Sequence, residues 1–158
     1  MGYAVVLGFK YMNDPNKKPG IGVGVMILRN DKVLLGKRHS DPQKADSELH
    51  GEGSWTMPGG KVNFKEELKE AVSREAFEET GIKVNKEKLE IISVTDDIVE
   101  DAHFVTNGFL CRDFEGEPKV MEPDEIIEWQ WFSLDNLPET IYFPSQKVIR
   151  HYLEKSLI

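Results

Sequence analysis

The sequence has a single cysteine, Cys111, and no apolar run long enough to cross a membrane. One thiol cannot form an internal disulfide, so nothing in the chain requires an oxidising compartment. A membrane-spanning helix needs about 20 predominantly apolar residues, and the amino-terminal stretch also lacks the basic leader and the small-residue cleavage site of a signal peptide. We therefore expect a cytoplasmic protein without a membrane partner.

Basic charge is also scarce, because 20 Lys and Arg stand against 28 Asp and Glu and give a net charge of -8. A protein that binds duplex nucleic acid needs a basic face that displaces counterions from phosphates, so this composition argues against such a partner. It does not exclude a small phosphorylated ligand, since bound divalent cations can reverse the local electrostatics of an acidic site.

Internal repeats and Pro-rich or Gly/Ser-rich linkers are absent from the sequence. A chain of 158 residues fits one globular domain better than two. Strands are predicted to outnumber helices. The predicted strands are Tyr3–Tyr11 as an edge strand, a hairpin of Ile21–Leu28 and Lys32–Lys37 around Asn30 and Asp31, Trp55–Met57, Lys61–Asn63, Leu89–Ile98, His103–Arg112 and Glu125–Phe132. Residues 40–54 are expected to be a polar loop, and Ser145–Lys155 a closing amphipathic helix.

A second helix is predicted over Phe64–Thr80, with clear signals at both ends. Asn63 is placed as its N-cap, and Glu66 three residues later would complete a capping box. Gly81 suits the left-handed position that often ends a helix. We expect this helix to carry the chemistry, because its charged residues are not confined to one outer face.

Carboxylates share the core-facing arc of this helix in a helical-wheel projection. The apolar members of the arc are Leu68, Ala71, Val72 and Ala76. Glu75 and Glu79 fall inside the same arc, and Glu78 lies on its flank. Burying such groups without partners costs several kcal/mol each, and Arg74 can neutralise only one. A divalent cation with oxygen ligands is the natural remaining partner, although a short Glu-rich stretch taken alone is more often a solvated face.

The frame around these carboxylates distinguishes them from an ordinary acidic face. It reads Gly60, five residues, Glu66, seven residues, and then Arg-Glu-Ala-Phe-Glu-Glu-Thr-Gly-Ile over residues 74–82. This segment resembles the Nudix box, Gx5Ex7REUxEExGU, in which U is a bulky aliphatic residue. Ala76 is the one departure, since it is smaller than the Ile, Leu or Val usual at that position. The resemblance is close over residues 60–82 and looser over the surrounding domain.

Membership of the Nudix hydrolase family implies an α/β fold, an α/β/α sandwich around a mixed β-sheet. It also implies a role for each matching residue. By this resemblance Glu75, Glu78 and Glu79 bind Mg²⁺ or Mn²⁺ with the Gly59 carbonyl, Glu75 or Glu79 is the general base, and Glu66 and Arg74 orient the site. Some relatives recruit a later carboxylate as the base, for which Glu122, Glu125 and Glu128 are the candidates. Lys61 and Arg38 are the candidate substrate contacts, through phosphate.

Nudix enzymes hydrolyse a nucleoside diphosphate linked to another group, X. The marks typical of ADP-ribose and diadenosine polyphosphate hydrolases are missing downstream of the box. The chain therefore looks most like the MutT-type branch, which converts a nucleoside triphosphate, in some members a modified purine, to the monophosphate and pyrophosphate. The alternatives are hydrolysis of ADP-ribose or a nucleoside diphosphate sugar, and a non-catalytic domain that senses a nucleotide. A homodimer is a further expectation from the family.

Overall fold

The computed structural model describes residues 15–45 and 47–156 of the chain. The predicted strand over Tyr3–Tyr11 lies outside these residues. Within them the elements are β1 Gly20–Arg29, β2 Lys32–Arg38, α1 Pro42–Ala45, β3 Trp55–Thr56, β4 Gly59–Lys61, α2 Leu68–Thr80, β5 Lys83–Val84, a 3₁₀ turn Lys86–Lys88, β6 Glu90–Ile98, β7 His103–Cys111, β8 Phe114–Glu115, β9 Ile126–Ser133 and α3 Phe143–Ser156.

The main sheet is organised around β1. One edge of β1 pairs in parallel with β7, and β6 continues the sheet beyond β7 as an antiparallel neighbour. The other edge of β1 has two antiparallel partners, β4 opposite residues 22–24 and β2 opposite residues 28–29. β2 in turn pairs with β3 and β9. The sheet is therefore mixed, as predicted.

Alternation along β1 gives the sheet two buried faces. Its side chains at 23, 25 and 27 belong to a core with Ala71, Val72 and Ala76 of α2. Those at 26 and 28 belong to a second core with Val148 and Ile149 of α3. Because successive strand residues point to opposite faces, each helix covers one side of the sheet. This arrangement is the predicted α/β/α sandwich.

The hairpin between β1 and β2 turns at the residues predicted from the sequence. Asn30 and Asp31 both have positive φ, 51° and 61°. Two consecutive left-handed residues are typical of a type I′ turn, whose twist matches that of the flanking strands. The strands that it joins extend one residue further at each end than predicted, except that β2 begins at Lys32 as expected.

The start of α2 differs from the prediction, since the helix begins at Leu68 and not at Phe64. Lys65 has a positive φ of 67°, which interrupts helical geometry and leaves residues before Leu68 in a turn. The hydrogen bond expected of a capping box is present, because the Glu66 carboxylate accepts the Asn63 N–H at 2.9 Å. It stabilises this turn and does not cap the helix. Gly81, with a φ of 76°, ends the helix as predicted.

The sequence prediction misplaced one short strand and missed several other short elements. The extended piece placed at Lys61–Asn63 is β4, Gly59–Lys61. A Cβ at position 59 would overlap the Val23 carbonyl oxygen, so glycine is what lets β4 approach β1 here. The predicted loop over residues 40–54 contains α1, and β5 and β8 form a separate two-stranded sheet that the pattern missed. Two-residue strands carry too little periodicity to be read from sequence.

None of the helices in the described part of the chain combines the length and the hydropathy that crossing a bilayer takes.

Gly36 provides a test of how tightly β2 packs against β9. A Cβ at this position would lie 2.7 Å from Trp129 Cζ3 and 2.8 Å from Ile126 Cγ2. We expect Gly36→Ala to lower the free energy of unfolding by about 1–3 kcal/mol, the usual cost of overpacking. Gly22→Ala is the matched control, because its nearest neighbour would be 3.5 Å away. Urea denaturation of both variants measures the difference, and equal stability would contradict this packing.

Candidate active site

A cleft of about 450 Å³ opens along the first half of β1. Its floor includes Gly22 and Gly24 of β1, and its walls come from α2, β4, the segment after α1 and the start of α3. Acidic side chains cluster in it. The lining residues are Gly22, Val23, Gly24, Arg38, Ala45, Ser47, Glu48, Leu49, Thr56, Met57, Gly59, Gly60, Lys61, Glu75, Glu78, Glu79, Phe104, Thr106, Glu122, Glu125, Ile126, Tyr142, Pro144, Ser145 and Val148.

The carboxylates of α2 reach the cleft beside the two glycines of β4. Glu75 lies against Gly60, where a Cβ would overlap the Glu75 carboxylate. Glu79 accepts a hydrogen bond of 3.0 Å from the Gly59 N–H. Glu78 is half exposed and stands at the rim. Two of the three predicted metal ligands are therefore turned inward, and the third is more exposed than the helical wheel suggested.

Arg74 contacts three of the carboxylates at this end of the cleft. Its guanidinium makes a two-point contact with Glu66, from Nε at 2.6 Å and from Nη2 at 3.0 Å. Nη1 donates to Glu75 at 2.8 Å and to Glu78 at 3.2 Å, and Nη2 also donates to the Lys61 carbonyl at 2.9 Å. A fixed planar fork suits such multiple bonding. Arg74 therefore links Glu66 and the Lys61 backbone to two carboxylates of α2, and an orienting role for Glu66 and Arg74 stays a prediction.

Burial and like charge shift the pKa values of these acids upward. Loss of solvation raises the pKa of Glu75, although the hydrogen bond from Arg74 opposes the shift. Burial and then the neighbouring Glu75 charge raise the pKa of Glu79 well above its ordinary value. Burial also raises the pKa of Glu122, with a smaller contribution from Glu78. The acidic end of the cleft is thus short of positive charge.

The donor set fits a divalent cation. It consists of carboxylate oxygens, which Mg²⁺ and Mn²⁺ prefer, and Glu79 is repelled by Glu75, Glu122 and Glu125. Among the described residues, however, no three acidic, His or Cys side chains already converge in a metal-binding geometry. Glu75 and Glu78 are turned toward Arg74 instead. Metal binding would need these two side chains to reorient toward Glu79.

The two cations predicted to contact phosphate both line the cleft but differ in environment. Lys61 is exposed and forms an ion pair of 2.8 Å with Glu48. Arg38 is 7% exposed, and its Nη2 donates to the Ala45 carbonyl at 3.1 Å. Exposed ion pairs contribute little stability, so the Lys61 ammonium can exchange partners easily. The Arg38 guanidinium is held by the Ala45 carbonyl through Nη2, and its buried Nε has no hydrogen-bond partner among the described residues.

The later carboxylates considered as a general base divide into two groups. Glu122 and Glu125 line the cleft together with the acids of α2. Glu128 lies on β9 opposite Lys37, is exposed, and is not part of the lining. The structure therefore leaves Glu122 and Glu125 as the later candidates and removes Glu128.

Sequence reasoning missed two polar residues of the cleft wall, Ser47 and Tyr142. Their side-chain oxygens share a hydrogen bond of 3.0 Å across 95 positions of the chain, which no local pattern could reveal. The available signal was the length of the polar segment over residues 40–54, because connections of this size without secondary structure are uncommon and often functional. Phe104 also lines the cleft and is its most suitable aromatic surface for a base.

A protein-family model described as NUDIX domain matches residues 18–152 of the chain. An ADP-ribose pyrophosphatase from Methanocaldococcus jannaschii is 32% identical over 85% of this chain and 73% of its own length. An oxidized purine nucleoside triphosphate hydrolase from Danio rerio is 32% identical over 72% of this chain and 66% of its own length. The chain therefore spans just under two thirds of the second relative.

A solved structure has the same fold. A MutT NUDIX hydrolase from Burkholderia pseudomallei superimposes with a TM-score of 0.75 at 34% identity, and the match covers 85% of this chain and 98% of that one. The likeness extends over most of the described residues and is not limited to the segment around α2.

The raised pKa of Glu79 predicts a stability change for Glu79→Gln in the absence of metal. Ionised Glu79 costs stability at a pH above its ordinary value of about 4.3, because the folded chain prefers the protonated form. The amide can still accept the Gly59 N–H without the charge. We expect Glu79→Gln to be about 1–3 kcal/mol more stable than the wild type at pH 8 in EDTA.

This gain in stability should shrink as the pH falls toward 4, because the Glu79 carboxyl then becomes protonated in the unfolded chain as well as in the folded one. Exposed Glu139 supplies the control substitution Glu139→Gln. Denaturant titrations at pH 4 and pH 8 make the comparison, and a Glu79→Gln protein that is less stable than the wild type at pH 8 would contradict it.

Proposed function

The chain belongs to the NUDIX family of hydrolases, and we propose that it cleaves a nucleoside diphosphate linked to another group with the help of Mg²⁺ or Mn²⁺. The observation that carries this proposal is the acid cluster beside the glycines of β4. Glu75 and Glu79 enter a cleft large enough for a nucleotide, and one guanidinium serves Glu66, Glu75 and Glu78. A divalent cation would supply the missing positive charge.

Under this proposal Glu75, Glu78 and Glu79 would hold the metal, together with the Gly59 carbonyl. A bound divalent cation lowers the pKa of water and stabilises charge that develops on phosphate oxygens. The protein's own part is to hold the carboxylates in place. Before metal binds, Arg74 holds both Glu66 and Glu75. Glu75 would then turn from Arg74 to the metal, while Glu66 stays on Arg74 and the Gly59 N–H fixes one oxygen of Glu79.

The general base would be Glu75 or Glu79, which accepts a proton from the water that attacks phosphorus. Both reach the cleft from the same face of α2. Glu122 and Glu125 stay as alternatives, because they line the same cleft. Lys61 is the candidate contact for substrate phosphate, since its exposed ammonium pairs with Glu48 at the surface and a phosphate could replace that carboxylate.

The substrate that we propose first is a nucleoside or deoxynucleoside triphosphate, in which a modified purine is one candidate base. Its products would be the monophosphate and pyrophosphate. The relative from Danio rerio, named for hydrolysis of oxidized purine nucleoside triphosphates, supports this choice. ADP-ribose is the second candidate, and it is supported by the relative named as an ADP-ribose pyrophosphatase, which matches more of the chain at the same identity. A nucleoside diphosphate sugar would use the same chemistry.

A role as a nucleotide sensor without catalysis is less well supported, because sensing alone has no need of a buried acid cluster. A cytoplasmic location and a homodimeric assembly also stay predictions. One buried cysteine, Cys111, agrees with a reducing compartment.

Removing a carboxylate from the cluster should abolish turnover while the chain stays folded. We expect Glu79→Gln and Glu75→Gln to lower kcat by about 10²–10⁴, the range for loss of a general base or an equivalent charged group. Glu139→Gln, on the surface, should keep wild-type kinetics. Steady-state assays with circular dichroism of each variant make the comparison. Mg²⁺-dependent turnover that survives both substitutions would show that the reaction does not use this cluster.

A nucleotide panel with product identification tests the reaction itself. We expect activity with Mg²⁺ or Mn²⁺ and none in excess EDTA, with recovery when metal is restored. Triphosphates should yield monophosphate and pyrophosphate, whereas ADP-ribose would yield AMP and ribose 5-phosphate. Chromatography of the products separates the two substrate proposals. No hydrolysis of any nucleotide, combined with tight nucleotide binding, would favour the sensor instead.

A further inference from the structure

Arg38 connects three parts of the cleft wall from a buried position. It stands at the end of β2, and its side chain donates to the carbonyl of Ala45 at the end of α1. Its guanidinium carbon also lies 4.5 Å from the centre of the Tyr142 ring. A guanidinium stacked on an aromatic face is held both by packing and by electrostatic attraction. Arg38 thus connects the sheet to the end of α1 and to Tyr142, two segments that are distant from each other in sequence.

Tyr142 continues this connection toward the segment after α1. Its ring packs so closely against Gly51 that a Cβ there would lie 2.6 Å from Tyr142 Cδ2, and Gly51 has a positive φ of 87°. Its hydroxyl shares the hydrogen bond of 3.0 Å with Ser47 Oγ. The same Ser47 oxygen accepts the Leu49 N–H at 3.3 Å. Arg38 and Tyr142 together therefore fix the backbone around Ser47.

The residues fixed in this way face the ligand space. Ser47, Glu48 and Leu49, which we name the Ser47 wall, all line the cleft. They present a hydroxyl, a carboxylate and an apolar side chain in sequence. Glu48 also reaches Lys61 on β4, next to the glycines that meet the acid cluster. The wall is thus connected at one end to the candidate phosphate contact and at the other to Tyr142.

We propose that Arg38 and Tyr142 are positioning residues that hold the Ser47 wall, and that this wall selects which nucleotide the cleft accepts. The selection rests on the proposed function, because it concerns the substrate of that site. Arg38 then acts through its protein contacts and not as a direct phosphate ligand. The metal-binding carboxylates carry out the same chemistry on every substrate, whereas the wall meets the parts that differ among substrates.

The chain contains a matched pair of residues outside the cleft. Arg112 Nη2 donates to the Tyr152 hydroxyl at 2.8 Å, and its guanidinium carbon lies 5.8 Å from that ring. This pair also joins an arginine to a tyrosine, through the hydroxyl and at the surface, but it does not line the cleft. Tyr152→Phe and Arg112→Lys therefore control for the general effect of losing a tyrosine hydroxyl or an arginine fork.

Substrate selectivity of Tyr142→Phe is the first test. Phenylalanine keeps the ring under Arg38 and removes the hydroxyl that bonds to Ser47. ATP, GTP and ADP-ribose serve as probes, since they vary the base or the group beyond the diphosphate. We expect the ratio of KM between at least one pair of probes to change by about two- to tenfold, the value of one neutral hydrogen bond. Ser47→Ala should shift the ratio in the same direction by at least as much, since it also removes the acceptor of the Leu49 N–H, and kcat should change less than KM.

The double variant with Tyr142→Phe and Ser47→Ala should be no worse than Ser47→Ala alone, because the bond that Tyr142→Phe removes is already lost in Ser47→Ala. Arg38→Lys should shift the KM ratios in the same direction, since lysine lacks the planar stack, while Tyr152→Phe and Arg112→Lys should leave them unchanged. If KM changes by the same factor for every probe, or if the control variants change the KM ratios as much as Tyr142→Phe does, the wall does not select the substrate.

Hydrogen exchange tests the positioning without any turnover, so it separates this proposal from the proposed function. Amides of residues 47–54 should exchange faster in Tyr142→Phe and in Arg38→Lys than in the wild type, and those of α2 should not. Exchange that is unchanged over residues 47–54 would contradict the positioning role. The wild type could hydrolyse none of the probes while the two variants still exchange faster over residues 47–54. That result would overturn the proposed function and the selection, and it would support the positioning role.

Discussion

The guanidinium of Arg74 holds Glu66, Glu75 and Glu78 and the Lys61 carbonyl within one set of hydrogen bonds. Its contacts join α2 to the turn before it and to β4, so the acid cluster and the glycine strand keep one relative position. Breaking a partly buried network of this kind leaves charges without partners, which costs more than the network contributes. The geometry of the cleft's acidic end therefore depends on this residue.

The same contacts explain why the site needs a further cation. Arg74 is shared among three carboxylates, and the Glu79 carboxylate accepts a hydrogen bond from the neutral Gly59 N–H. Like charges within the cleft raise the pKa values of Glu75, Glu79 and Glu122 in addition to the larger effect of burial. The net negative charge of the chain is thus no obstacle to a polyanionic substrate, because a divalent metal can reconcile the acidic cleft with phosphate.

Helical periodicity was sufficient to predict the acidic face of α2. The layers of the fold were implied by the resemblance to the Nudix box, which the fixed spacing after Gly60 carries. The sequence prediction placed the start of α2 too early, since no residue pattern shows that Lys65 adopts a left-handed conformation. The hydrogen bond between Ser47 and Tyr142 depends on tertiary packing across most of the chain. Burial of Arg38 likewise follows from how α1 and Tyr142 close over it, so sequence could name the residue but not its environment.

In the proposed function, carboxylates of α2 leave Arg74 to bind a divalent metal beside Gly59. The anomalous difference map of a crystal soaked in Mn²⁺ tests this rearrangement directly. We expect a peak between Glu75 and Glu79 near the Gly59 carbonyl, with the Glu75 or Glu78 side chain turned away from its contact with Arg74. A peak elsewhere, with these carboxylates still bound to Arg74 in a crystal where Mn²⁺ is visible, would contradict it.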